Sequence, residues 1–344
     1  MNKILSVIIP TYNMEALLPR CLDSFIIEKE YMEMLDIIIV NDGSKDRSSE
    51  IAHDYQTRYP NTFNVIDKKN GNYGSCINEG LKVAKGAYLR ICDSDDYYFK
   101  ENLPGYLQVL KSSTADIVFT PFETFNFDGS LSKGMPAYSV KNGEVFKISE
   151  IDWRKPEVLR YRAMHCISVK TENLIKNEYK QLEGISYTDA QFLFYAVLYS
   201  NTCTFFNKPI YKYFLGRDGQ TMSLESMKKS NMHFYLNARN MLDTYMTLGN
   251  SIPENKALLL YGTIRTCFSY FANISIGHIR RPSEKIKLIR TILEDAKKCK
   301  LPCPLNEITK TDRIFRLWYS YHLPPIVIYN MCRLYSFLKG SREK

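Results

Sequence analysis

Long apolar runs are missing from this chain of 344 residues, and none approaches the ~18 consecutive apolar residues that a membrane-spanning helix needs. A disulfide framework is missing too. The nine cysteines are odd in number and scattered, and Cys92, Cys203 and Cys267 sit inside apolar runs, the pattern of buried thiols in a reducing compartment. Cys299 and Cys303 form the only close pair, and no second pair or histidine completes a zinc site. The opening MNKILSVIIPTYN has too short an apolar stretch, and no small-residue cleavage site, for a signal peptide. The expected location is therefore the cytoplasm. Internal repeats and low-complexity tracts are absent, and a charged fraction of 24% is ordinary for a folded protein.

What is present is ample core material, with 45% hydrophobic residues and a length that suits one large or two ordinary domains. Tyrosine is heavily used, at 25 residues, which suits surfaces with one wet side. The formal charge of +9 is unevenly spread. Residues 225–344 hold 20 Lys and Arg against 9 Asp and Glu, whereas residues 1–224 hold 26 against 28. A basic segment of this kind can face nucleic acid or anionic lipid, or simply be a soluble surface.

Strands and helices alternate along the first part. Ile4–Ile9, Ile37–Val40, Phe63–Ile66, Ala87–Cys92 and Asp116–Thr120 read as buried strands, with helices expected over Glu15–Ile27, Asp46–Tyr59, Gly71–Ala84 and Asn102–Ser112. Wholly apolar strands alternating with helices predict an α/β fold, a mostly parallel sheet covered on both faces. In such sheets ligands bind beyond the carboxyl ends of the strands. Turn residues break up 121–165, a strand or strand-to-helix junction is expected at His165–Val169, a helix over Tyr187–Leu198, and short strands at Thr204–Phe206 and Ile210–Phe214. From Glu225 onward strand signals vanish, and 225–248, 254–275, 283–298 and 323–338 have helical periodicity. The aromatic stretch Leu317–Leu338 fits a bilayer interface or a helix docked on the domain equally well.

The strand Ala87–Cys92 ends in Asp93, Asp95 and Asp96. Three carboxylates in four residues repel one another near a low-dielectric core unless something neutralises them. Such oxygen-rich clusters suit a hard divalent cation that also holds a phosphate, although a solvated acidic turn has the same composition.

In order along the chain, Ser6-Val7-Ile8-Ile9-Pro10-Thr11-Tyr12-Asn13, Val40-Asn41-Asp42-Gly43-Ser44-Lys45-Asp46, Asn70-Gly71, Asn78-Glu79-Gly80, Ala84-Lys85-Gly86 and Asp93-Ser94-Asp95-Asp96 resemble the glycosyltransferase family 2 pattern over roughly residues 4–222. The resemblance implies a GT-A (Rossmann-like) domain at 1–222, with a nucleotide-sugar-binding half at 1–100 and an acceptor half at 101–222. A helical, basic region at 223–344 is appended. It further implies a metal-dependent inverting transfer from a nucleotide-diphospho-sugar, expected to be a UDP-sugar, to a glycan or lipid-linked acceptor in envelope polysaccharide synthesis. The enzyme would then be cytoplasmic or peripheral on the inner face of the membrane. By the same resemblance Pro10, Thr11, Tyr12, Asp42, Gly71, Asp93 and Ser94 line the donor site, with Tyr12 packed on the nucleobase and Asp42 accepting from it. Asp93 and Asp95 hold Mn2+ or Mg2+, and Asp96 orders the loop. Tyr12 as core packing and Asp42 as a turn cap stay open as alternatives.

The family's acidic pair at a helix start reads Thr188-Asp189 here, so Asp189 is the expected base, with Glu183 a weaker substitute. Direct displacement with one base implies inversion, and a helix-opening acid favoured by the dipole is the alternative use of Asp189. Arg217, Gln220 and Thr221 fall where the family closes a polar loop over the donor phosphates. His165, a lone histidine, reads as either core or acceptor-facing. A nucleotidyltransferase would carry a glycine-rich, Lys/Arg-bearing loop after the first strand, where this chain has Thr-Tyr-Asn-Met-Glu. A nucleic-acid-binding protein finds no helix-turn-helix, zinc or stacking signature.

Overall fold

The computed structural model describes residues 3–126, 130–133, 143–215, 223–248, 251–277 and 283–299. The chain runs through β1 (Leu5–Thr11), α1 (Leu18–Asp23), α2 (Lys29–Met32), β2 (Leu35–Asn41), α3 (Ser48–Arg58), β3 (Phe63–Asp67), α4 (Asn72–Val83) and β4 (Tyr88–Ile91). It continues with β5 (Tyr97–Tyr98), α5 (Leu103–Ser112), β6 (Ile117–Phe119), β7 (Phe122–Phe125), β8 (Leu131–Lys133), β9 (Phe146–Lys147), α6 (Pro156–Leu159), β10 (Ile167–Lys170) and α7 (Thr171–Lys176). Then come α8 (Asp189–Leu198), β11 (Thr202–Phe205), β12 (Tyr211–Phe214), α9 (Leu224–Lys229), α10 (Asn231–Leu248), α11 (Glu254–Gly277) and α12 (Ser283–Lys298).

Residues 1–218 and 253–260 form one compact unit. Its main sheet has the order β3-β2-β1-β4-β10-β6-β11-β9. β1, β2 and β4 are buried at every position, as expected for strands covered on both faces. The buried Asp36 in β2 is no exception to polar satisfaction, since its carboxylate accepts from Ser6 Oγ at 2.6 Å and Lys85 N at 2.9 Å. β1 runs on through Pro10, past the expected stop. Its pairing with β4 ends at Ile8, so the N–H that proline lacks is not required.

Two features depart from the simple alternation. β10 runs antiparallel to both β4 and β6, with Val169 opposite Leu89 and Ser168 opposite Val118. A separate four-stranded sheet, β5-β12-β7-β8, also forms beside the acidic loop. The helix expected over Glu15–Ile27 shrinks to α1, because Glu15 N donates to Asp46 and Met14 N to Ser48, drawing the preceding turn toward the β2–α3 loop. The first turn of α11 belongs to this unit, where Lys256 Nζ donates to the Leu198 and Ser200 carbonyls at 2.9 and 2.7 Å and caps the carboxyl end of α8.

The second unit comprises residues 219–252 and 261–344, and its described part is wholly helical. Phe234, Met241, Leu242, Phe268, Phe271 and Ile289 are buried within it. Arg239 of α10 donates to Asp295 of α12 at 2.7 Å and also pairs with Asp243. No helix among the described residues is long and apolar enough to cross a membrane. The expected helix over 323–338, the interfacial stretch Leu317–Leu338 and Cys303 lie outside the described residues.

Candidate active site

The carboxyl ends of β1, β2 and β4 bring together most of the residues singled out by sequence. Pro10 and Thr11 are buried in β1, while Tyr12 just beyond is 44% exposed, an aromatic ring kept at the surface and out of the core. The two loops are stitched to each other: Asn13 N donates to Ser44 Oγ at 3.0 Å, and Lys45 N to Asn13 Oδ1 at 2.8 Å.

Asp42 is buried and heavily used. Its Oδ1 accepts from Lys68 Nζ at 2.6 Å and Gly71 N at 2.9 Å, and its Oδ2 accepts from Asn72 N at 2.9 Å. The carboxylate thus satisfies the orphan N–H groups at the start of α4. A carboxylate has about four lone-pair sites, so this cap leaves room for about one further donor. Lys68, which sequence reasoning did not single out, also donates to Ser75 Oγ at 2.8 Å. Its position directly after β3, at the carboxyl edge of the sheet, was the available signal.

The acidic loop is built as follows. Asp93 accepts from the Tyr73 hydroxyl at 2.6 Å, and its own N–H donates to Tyr211 Oη at 3.2 Å. Asp95 is half-buried, and its carbonyl accepts from Arg20 Nη2 at 2.9 Å. The Arg20 guanidinium lies over the rings of Phe214 and Tyr97, at 4.0 and 4.6 Å from their centroids. Ser94 is buried. Asp96 is buried as well, accepting from Tyr211 Oη at 2.6 Å and Phe214 N at 2.8 Å, so it pins β12 to the loop. Burial, followed by the charges of Asp93 and Asp95, pushes the Asp96 carboxyl well above the usual range, against the pull of those two donors. Carboxylate oxygens are the donor set that a hard divalent cation takes.

Behind the loop, the buried Arg90 of β4 donates to Thr120 Oγ1 at 3.0 Å and to the His165 carbonyl. The His165 ring stacks on Tyr211 and Tyr213. Burial, then the nearby Arg90, drives its pKa down to about 3, so the imidazole is neutral. Asp93, Asp96 and His165 offer potential ligand atoms within 4.8 Å of one another, the only such group among the described residues. Asp95 does not join it.

Asp189 opens α8 with its side chain open to solvent, yet protein surrounds it closely enough for desolvation to raise its carboxyl, with the N–H groups of Ala190 and Asp189 itself pulling the other way. Tyr73 relates it to the acidic loop: burial first, then Asp93, and further down Asp189, raise the Tyr73 phenol. The base candidate and the acidic loop therefore share one electrostatic neighbourhood. The segment before Asp189 is locked. Gln181 Nε2 donates to Thr188 Oγ1 at 2.7 Å, Leu182 N to Gln191 Oε1 at 3.1 Å, and Asn78 Nδ2 both to the Gln181 carbonyl at 2.9 Å and to Glu183 at 2.8 Å. Thr188, standing where an acid was expected, serves this lock. Tyr187 holds φ at 61°, a strained conformation for a bulky residue next to the candidate base.

Arg217, Gln220 and Thr221 lie outside the described residues. Tyr73, Arg90 and Gln181 were missed because a single tyrosine, arginine or glutamine carries no spacing signal.

Comparison with known proteins agrees with the fold. The glycosyl transferase family 2 model matches residues 6–171. An uncharacterized glycosyltransferase of Mycoplasma genitalium is 42% identical over 99 residues, 28% of this chain and 33% of that protein. The poly(ribitol-phosphate) beta-glucosyltransferase of Bacillus spizizenii is 29% identical over 233 residues, 67% of this chain and 35% of that protein. The chain thus spans about a third of the length of these curated relatives. Among solved structures, S. aureus TarS 1–349 in complex with UDP-GlcNAc superposes with a TM-score of 0.67 at 20% identity, covering 98% of this chain and 92% of that one. A mannosyltransferase from Pyrobaculum calidifontis, in complex with GDP-Man and Mn2+, gives 0.51 at 13% identity, covering 98% and 88%. At these identities the likeness establishes a shared fold.

Proposed function

Since the chain belongs, through residues 6–171, to glycosyltransferase family 2, we propose that it is a metal-dependent inverting glycosyltransferase moving a sugar from a nucleotide-diphospho-sugar to a hydroxyl of a glycan or lipid-linked acceptor. The observation that carries this reading is the shared neighbourhood of the acidic loop and Asp189, with Tyr73 feeling both. Asp189 takes the proton from the acceptor hydroxyl as its oxygen attacks the anomeric carbon. The nucleoside diphosphate leaves from the opposite side, and the configuration inverts. An alcohol is a poor nucleophile at neutral pH, and a positioned base contributes ~10²–10⁴-fold. Tyr12 offers its exposed ring to the nucleobase, and Asp42 orients Gly71 and the start of α4 beside it. Asp93 and Asp95 are the residues that would hold Mn2+ or Mg2+, which when bound offsets the charge on the departing diphosphate.

A UDP-sugar donor and an envelope polysaccharide acceptor are supported by the names of the relatives, one a poly(ribitol-phosphate) glucosyltransferase and one solved with UDP-GlcNAc. The basic excess in 225–344 supports action at the inner face of the membrane, on a lipid-linked acceptor. The test is calorimetry with a panel of nucleoside-diphospho-sugars, with and without Mn2+, on the wild type and Asp95→Ala. Metal-dependent binding of one donor, lost in the variant, followed by release of nucleoside diphosphate on adding acceptor, is expected. Equal binding in EDTA by both proteins, or release of pyrophosphate, refutes the reading.

A further inference from the structure

Resting on the transferase reading above, we propose that Gln181 is the positioning residue of the base: through Thr188, which stands where an acid was expected, its side-chain amide fixes the direction in which Asp189 meets the acceptor hydroxyl. Gln181 is buried, and its Nε2 donates both to the Thr188 carbonyl at 3.0 Å and to Thr188 Oγ1 at 2.7 Å. The other end of the amide is held too, with Oε1 accepting from the Tyr179 hydroxyl at 2.7 Å. Its main chain is anchored on α4 by Asn78, which donates to the Gln181 carbonyl and accepts from its N–H. Further along, Gly184 N donates to the Gly71 carbonyl at 3.1 Å. Residues 181–184 thus form a strap fastened along the helix whose start Asp42 caps, and the chain beyond the strap delivers the candidate base.

What separates this arrangement from a well-packed turn is what α8 gives up for it. Thr188-Asp189-Ala190-Gln191 has the residues of a capping box, in which the threonine hydroxyl accepts from the glutamine N–H and the glutamine side chain reaches back to the threonine N–H. Neither bond forms. The Thr188 hydroxyl makes no cap and is taken by Gln181, while Gln191 Oε1 accepts from Leu182 N instead. Gln191 Nε2 is left buried without a hydrogen-bond partner among the described residues, whereas a buried amide nitrogen ordinarily has one. On the other side of Thr188, Tyr187 holds its positive φ of 61°. Local preference is thus overridden at Tyr187, Thr188 and Gln191, all around Asp189. Such departures persist where the surroundings over-determine them, and they gather where a group must be held in one direction. Here the strap on α4 is what over-determines them.

The experiment compares the full chain with Gln181→Met, which nearly keeps the volume and leaves the main-chain bonds to Asn78 in place while removing the amide. Gln181→Met should lower kcat about 10–100-fold, the order expected for a misplaced reacting group, with the donor Kd unchanged by calorimetry. Thr188→Val should fall in the same direction, and Thr188→Ser, which keeps the hydroxyl, should recover the rate. The discriminating measurement is a double-mutant cycle. In an Asp189→Asn background Gln181→Met should cost nothing further, because a residue that acts through the base has no effect once the base is gone. Equal kcat in wild type and Gln181→Met, or a loss in the Asp189→Asn background as large as in the wild type, overturns the proposal. Should Gln181→Met fail to fold, Thr188→Val and Thr188→Ser decide in the same cycle. Transfer that Asp189→Asn abolishes and Gln181→Met leaves intact refutes this inference alone. No transfer from any nucleotide-diphospho-sugar refutes the transferase reading and this inference with it.

Discussion

Gly74 sits inside α4, and replacing it by alanine sets two opposing effects against each other. By helix propensity alone, Gly74→Ala should stabilise the protein by about 1 kcal/mol. The structure says otherwise. A Cβ at this position would lie 1.9 Å from the Leu182 carbonyl oxygen and 2.8 Å from its carbon, both backbone atoms. Restoring an ordinary contact of ~3.4 Å requires the 181–183 segment to withdraw by about 1.5 Å. That movement breaks the reciprocal Asn78–Gln181 bonds at 2.9 and 2.8 Å, the Asn78–Glu183 bond at 2.8 Å and the Leu182–Gln191 bond at 3.1 Å. Four bonds at about 1 kcal/mol each amount to about 4 kcal/mol. Against the propensity gain, the net loss is about 3 kcal/mol. For a unit of this size that lowers Tm by about 6–12 °C. The same withdrawal loosens Gln181 from Thr188, next to Asp189, and a 1 Å misplacement of that kind can lower kcat by about 10²-fold. Calorimetric or circular-dichroism melting is the assay. A variant melting at or above the wild type would show that the α4 contact does not hold this segment, and the argument would fail.

Three further predictions rest on two named groups, Asp189 and Asp116. Asp189→Asn should lower kcat by about 10²–10⁴-fold with donor binding unchanged, and near-normal turnover removes Asp189 from the base role. Because the protein packed around Asp189 desolvates and raises its carboxyl, and the ionised form is the active one, the acid limb of kcat should lie above the ordinary carboxylate value of 3.8, activity being lost as pH falls through the raised pKa. A limb at or below that value contradicts the assignment. Asp116 accepts from Asn201 N, Thr202 N and Thr202 Oγ1 at 2.8–3.0 Å. Burial works against the ionised form, but these donors outweigh it and hold the pKa down. Its contribution is therefore present above the unfolded carboxylate pKa and lost as pH falls through the lower folded one. Asp116→Ala should cost about 1–3 kcal/mol at neutral pH, with the difference from wild type shrinking in acid, measured by urea titration. A difference that does not shrink refutes the linkage.

Much of the loop cluster at the carboxyl ends of β1, β2 and β4 was legible because short-range patterns determine it. Apolar runs such as Ile37–Ile39 have few alternatives to a buried strand, and their polar ends must collect at one edge of a parallel sheet. α12 matched its periodicity to the residue, since Ile286, Ile289, Ile292 and Leu293 repeat at helical spacing and are buried. What stayed hidden depends on contacts between segments far apart in the chain. The antiparallel course of β10 is decided by its neighbours, Leu89 on one side and Val118 on the other, and no local signal carries strand direction. The capping role of Asp42 depends on Gly71 and Asn72 arriving from beyond β3. His165 read as an ambiguous lone histidine because its surroundings, Tyr211 and Tyr213, lie some 46 residues further along.

β10 has a consequence for how the protein assembles during synthesis. When β6 has left the ribosome, β4 is the bare edge of a four-stranded sheet and β6 has no neighbour at all, since β10 (Ile167–Lys170) and β11 (Thr202–Phe205) follow later. Those bare edges are templates for pairing with other chains, and closing them late, through contacts distant in sequence, is slow. A chain cut short before β10 would therefore yield aggregate and not a folded fragment, so the late strand between β4 and β6 acts as the keystone that commits the nascent polypeptide to its native form.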